Sequence, residues 1–220
     1  SVIYAAFNHH KYGDFKPYIY RSADKGATWN KISNNLPERG SVYSIEEDHL
    51  DSDLLFCGTE FGVFFSSNAG KRWKQLKGGV PTIAVRDIAI QRRESDLVLG
   101  TFGRGFYVLD DYSLLRNVGD GRMDNSAAIY PVRDALVYEE SQPLGLRGKA
   151  FQGDAYYTAE DLGPVAIIDY YYPESYKSKK EERQKRQTED AKNKKGNPYP
   201  TYDELVEESE EIEPQLLFTI

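Results

Sequence analysis

Ser22-Ala23-Asp24-Lys25-Gly26-Ala27-Thr28-Trp29 returns 44 residues later as Ser66-Ser67-Asn68-Ala69-Gly70-Lys71-Arg72-Trp73. Two flanking elements repeat at almost the same interval. Asp53-Leu54-Leu55-Phe56-Cys57-Gly58-Thr59 matches Asp96-Leu97-Val98-Leu99-Gly100-Thr101, and Val42 to Ile45 matches Val85 to Ile88, 43 residues on. Three landmarks on one period define an internal repeat. Inside a period the pattern is short apolar alternation between turn residues. The middle unit reads as strands at Val42 to Glu47, Leu54 to Gly58, Val63 to Ser66 and Trp73 to Leu76. Apolar residues at i, i+3, i+4 and i+7, which a helical repeat of this length needs, are not found there. Four strands in some 43 residues is the size of one β-propeller blade.

The repeated octapeptide has a local logic. Asp24 stands where a carboxylate accepts backbone N–H groups of its own turn. Gly26 supplies a backbone geometry that bulkier residues resist. Trp29 opens the next strand and is expected to pack under the turn. On these residues the segment resembles the Asp-box, or BNR, motif of sialidases, sortilin-type propellers and family 74 glycoside hydrolases. Ser22, Asp24, Gly26, Thr28 and Trp29 match it fully. Ser66, Asn68, Gly70 and Trp73 are a degenerate copy, with Asn68 for Asp and Arg72 for Thr. Gly100 to Asp111 is also similar to the last blade of large secreted bacterial proteins of the glycosyl hydrolase type. The resemblance implies a structural rather than catalytic Asp24, and a secreted, periplasmic or cell-surface location.

The fold class expected is mainly β: the C-terminal blades of a β-propeller, then the start of a β-sandwich with a charged helical insertion. Residues 1–140 would be a partial propeller of two to three blades and 141–153 a linker. Residues 154–220 would open the sandwich, with a helical hairpin at about 174–213. In the last blade the outer strand is expected at Ala128 to Pro131 or at Ala135 to Tyr138. The sandwich strands are expected at Gly163 to Tyr172 and Gln215 to Ile220. Since closed propellers have at least four blades, further blades are expected from upstream sequence or another chain. In the insertion, Lys177 to Lys195 carries nine basic and four acidic residues, and Asp203 to Glu213 seven acidic and none basic. Thr201-Tyr202-Asp203-Glu204 fits a capping box. The insertion is read as an exposed pair of oppositely charged helices, or as a docking arm for a protein partner.

Composition narrows the function. The 220 residues carry a net charge of -7, which argues against a general nucleic-acid binder. A single cysteine, Cys57, excludes an intrachain disulfide and reads as a small buried apolar residue. No apolar run is long enough to span a bilayer. No cofactor is implied.

In a propeller the loops joining the second and third strands of each blade share the ligand-binding face. Those loops hold His9, His10 and Tyr12, then Glu60 and Phe61, then Phe102 and Arg104. Aromatic faces, Glu and Arg suit a glycan or peptide ligand. His9 and His10 are no metal pair, because neighbours in a strand point to opposite sides and no third ligand is evident. Arg104 either meets ligand or holds a neighbouring blade through Asp110 or Asp111, and Glu60 fits a surface position. Catalytic residues are not identifiable, since glycoside hydrolysis needs two carboxyl groups about 5–10 Å apart. The two readings are a hydrolase-like propeller protein that binds glycan or peptide, and a sortilin-like or assembly module without enzymatic activity.

Overall fold

The computed structural model describes residues 2–118, 127–139, 163–173, 176–196, 199–215, 217 and 219. It divides into two units, Ser1–Tyr171 and Tyr172–Ile220. The expected linker at 141–153 lies outside the described residues.

The first unit is mainly β and built of small antiparallel sheets. Sheet A holds β1 (Ile3–His9), β2 (Asp14–Ser22) and β3 (Asn30–Lys31) in sequence order. Sheet B holds β4 (Val42–Glu47), β5 (Leu55–Thr59), β6 (Gly62–Ser66) and β7 (Lys74–Gln75). Sheet C holds β8 (Val85–Gln91), β9 (Asp96–Thr101) and β10 (Phe106–Leu109). Each is a meander, as short connections between alternating apolar runs demand.

The sheets pack face to face in chain order, and apolar burial supplies the attraction. Ile19, Ile32 and Leu36 of the A region share a core with Val42, Leu55, Cys57, Phe64 and Trp73 of sheet B. The opposite face of sheet B, with Phe56, Val63 and Phe65, shares a second core with Val85, Ile88, Leu97 and Leu99 of sheet C. Gly58 lets the B and C sheets approach: a Cβ there would lie 2.5 Å from Ser44 Oγ and 2.6 Å from the Val85 carbonyl oxygen.

Beyond β10 the chain leaves the sheet. Asp111 adopts the left-handed region (φ 46°), and its carboxylate accepts the Ser113 N–H. That capping starts a 3-10 helix, Tyr112–Asn117, whose Tyr112 and Leu115 enter the B–C core together with Val118. Among the described residues no fourth strand joins sheet C. Instead β11 (Ala128–Ile129) pairs with β12 (Tyr170–Tyr171), and 135–138 is in no strand. The long strand expected at Gly163 to Tyr172 shrinks to those two tyrosines. Of the strand expected at 215–220, the described residues Gln215, Leu217 and Thr219 are in no strand.

The second unit holds α1 (Lys179–Lys192) and α2 (Tyr202–Ser209). Both begin with capping boxes, Ser178 with Glu181 and Thr201 with Glu204. Neither helix buries a residue. Cross-helix charge joins them: Arg183 forks onto Glu208 and Lys179 Nζ reaches Glu207 at 2.9 Å.

Candidate functional site

The turns joining β1 to β2, β5 to β6 and β9 to β10 lie along one rim of the stack. Backbone bonds fix two of the turns to the entries of their own sheets, Glu60 N–H donating to Ser41 and Phe102 N–H to Ala84, and Gly40 N–H donates to Phe15 of β2. All seven sequence-derived candidates, His9, His10, Tyr12, Glu60, Phe61, Phe102 and Arg104, sit in or beside these turns.

Their local arrangements differ. The His9 ring stacks on Tyr12 with centroids 4.5 Å apart, and Tyr12 is otherwise open to solvent. His10 Nδ1 lies 2.6 Å from Asn8 Oδ1. Phe61 N–H donates to Thr59 Oγ1, and its ring lies where a Cβ on Gly40 would meet it at 3.2 Å. Arg104 is exposed between Gly103 and Gly105, both at positive φ, in a turn closed by Thr101 Oγ1 donating to the Gly105 carbonyl at 2.7 Å. Asp111 pairs with Arg133 at 3.6 Å. Among the described residues no group of three or more His, Cys, Asp or Glu side chains could hold a metal ion.

Two rim residues escaped the sequence reading. The pairing register slips at Tyr43 in β4 and at Arg86 in β8, which occupy equivalent places in the repeat. A bulge re-aims the inserted side chain. Here it brings the Arg86 guanidinium carbon 3.9 Å from the Tyr43 ring centre and 5.2 Å from that of Phe102. Arg39 lies 5.7 Å from the Phe15 ring centre in the same way. Such contacts hold a cation in place by the negative face of the ring. The 43-residue period was the available signal, because it sets Arg86 opposite Tyr43.

Away from the rim lies a buried charge cluster, also missed. The Asp48 carboxylate accepts two bonds from Arg116, at 2.8 and 2.9 Å, one from Tyr112 Oη at 2.5 Å, and the N–H groups of Leu50 and Asp51. Burial alone would push Asp48 up, but the Arg116 fork, the Tyr112 hydroxyl and the two amides hold it well below the usual carboxylate range. The cluster fastens the 3-10 helix to the β4–β5 loop across 68 residues of sequence. Beside it opens a cleft of about 940 Å³ lined by Leu109, Leu114, Leu136, Val165 and Ile167. Its Arg133 is spent on Glu94 and Asp111.

The octapeptide turns are closed by side chains. Ser22 Oγ donates to Asp24 Oδ1 (2.8 Å) and accepts from Gly26 N–H (2.7 Å). Thr28 donates its N–H to Asp24 Oδ1 (2.8 Å) and its hydroxyl to Asp24 Oδ2 (2.6 Å). These bonds draw the Asp24 pKa down to about 2. The second turn repeats the scheme through Ser66, Asn68, Gly70 and Arg72, without the hydroxyl bond. Cys57 is fully buried, which pushes its thiol pKa up.

The class that the fold defines is a mainly β array of small antiparallel sheets. Against known proteins, the chain matches no protein family and no curated protein. Among solved structures it is similar to an ancestral GH74 enzyme, at 20% identity with a TM-score of 0.38. That match covers 47% of this chain and 12% of the enzyme. No helix among the described residues is long and apolar enough to cross a membrane.

Proposed function

We propose that the chain is part of a secreted or periplasmic Asp-box β-propeller protein that binds glycan or peptide on its rim. The three sheets are then successive blades, and the carboxylate- and amide-closed turns are the folding device of the first two. The observation that carries the binding reading is the Arg86 guanidinium lying over Tyr43 and Phe102 at repeat-equivalent bulges. Stacking covers the faces of the guanidinium and leaves edge N–H groups for ligand.

Titration of glycan and peptide libraries against the chain and its Arg86→Ala and Phe102→Ala variants tests this. Binding weakened at least tenfold in both variants, with no turnover, is the expected result. Turnover abolished by Glu60→Gln would replace the binding reading with an enzymatic one.

A further inference from the structure

The helical hairpin of the second unit is held by charge where paired helices are usually held by apolar side chains. α1 carries a single apolar residue, Ala191, and neither helix buries a residue. Lys179, Arg183 and Arg186 follow the spacing i, i+4, i+7, which lines them along one helix face. Glu204, Glu207, Glu208 and Glu211 follow i, i+3, i+4, i+7. Paired helices ordinarily fill such positions with Leu, Ile or Val.

The two stripes meet in antiparallel order. Lys179 Nζ reaches Glu207 at 2.9 Å, Arg183 forks onto Glu208, and Arg186 Nη2 lies 3.7 Å from Glu204. Glu211, past the end of α2, accepts the Lys179 N–H with both oxygens, at 2.8 and 3.1 Å. Its carboxylate thus sits at the N-terminal end of α1, where the helix dipole favours negative charge. Glu182 and Lys180 also border the seam, and the Tyr176 hydroxyl bonds to Glu211.

Exposed ion pairs contribute little each, and salt screens them. Helices of 14 and 8 residues are too short to be firmly stable alone. The sheets of the first unit are held by apolar burial, which needs no opposite charge. We infer that the α1–α2 hairpin is a charge-operated latch, closed at low ionic strength and neutral pH and opened by salt or by protonation of its glutamates while the sheets stay folded. The sign follows from which groups titrate. In acid the glutamates lose their charge, whereas arginine and lysine keep theirs. The Arg183 fork holds Glu208 below the usual carboxylate range, so this pair adds stability that is lost as pH falls. Opening leaves Lys179, Arg183 and Arg186 uncovered.

Amide exchange of the intact chain, read for α1 and α2 relative to sheet B, tests the latch. Raising sodium chloride from about 0.1 M to about 1 M shortens the screening length from about 10 Å to about 3 Å. Relative exchange in the helices is expected to rise at least threefold, and to rise again when pH is lowered from 7 to about 4, near the ordinary glutamate value. Glu208→Gln should show the open rate already at low salt, with little further salt effect. The reversed pair, Arg183→Glu with Glu208→Arg, should restore protection, because it exchanges the charges and keeps the contact. Lys179→Glu with Glu207→Lys repeats the reversal at a second site. Helices that are unprotected at low salt, that ignore salt, or that respond only in step with sheet B overturn the proposal. So do two reversed pairs that both stay as open as Glu208→Gln.

Discussion

The two octapeptide turns rank oppositely in motif and in burial. Ser22 to Trp29 has the complete motif, yet Trp29 is 43% exposed. Ser66 to Trp73 is degenerate, yet Trp73 is 3% exposed and its indole N–H donates to the Ile32 carbonyl at 2.6 Å. Asn35 clasps the Trp73 backbone on both sides, accepting its N–H and donating to its carbonyl. The motif closes a turn by bonds within eight residues, while the Trp is buried only where a preceding sheet offers a pocket. Sheet A offers that pocket to Trp73; among the described residues nothing does so for Trp29. Trp29 does lie beside its own turn, its ring 3.8 Å from where a Gly26 Cβ would stand, but it stays 43% exposed.

The comparison breaks most sharply at the tryptophans. Trp73→Ala is expected to cost about 3–5 kcal/mol, as removal of a buried aromatic side chain does. Trp29→Ala should cost well under half as much. Paired denaturant melts check this, and equal losses would mean that Trp29 has a pocket of its own. Next in size is the Asp48 cluster, a second case of burial supplied from far along the chain. Asp48→Asn leaves the part-buried Arg116 uncompensated, at a cost of about 3 kcal/mol. Amide exchange should then rise in the 3-10 helix before it rises in sheet A. A smaller effect is expected at the turn glycines, both at positive φ. A Cβ on Gly70 would meet Ile32 at 2.8 Å, whereas one on Gly26 has nothing nearer than Trp29 at 3.8 Å. Gly70→Ala should therefore destabilise by about 1–3 kcal/mol through strain and overpacking, and Gly26→Ala by the backbone strain alone.

These contrasts mark what was legible in the chain. The strands of sheet B were readable to within about a residue, because alternation and turn residues are local signals. The α2 start was readable from Thr201 and Glu204 for the same reason. By contrast, the meeting of Asp48 with Arg116 depends on how the chain turns at Asp111, and no pattern near either residue encodes it. The bulges at Tyr43 and Arg86 left the strand pattern intact while redirecting the two side chains that give the rim its clearest feature. At Ala128 the strand was legible but its partner was not, since pairing with Tyr171 spans a stretch without local signals.

The smallest effect separates the two turns by pH. Asp24 is ionised and fully bonded in the folded chain, with its pKa drawn from the usual 3.8 down to about 2. A carboxylate lowered by folding adds stability that is complete above its unfolded value and lost as pH falls toward the folded one. Its contribution should thus fade between pH 4 and pH 2. Asn68 makes the corresponding bonds through an amide that does not titrate, so its turn should be indifferent over that range. Comparing wild type with Asp24→Asn isolates the effect from the other acids. The variant should be the less stable at neutral pH, and the two melting curves should converge as pH approaches 2. A gap that persists unchanged at low pH would show that the turn depends on the shape of residue 24 and not on its charge.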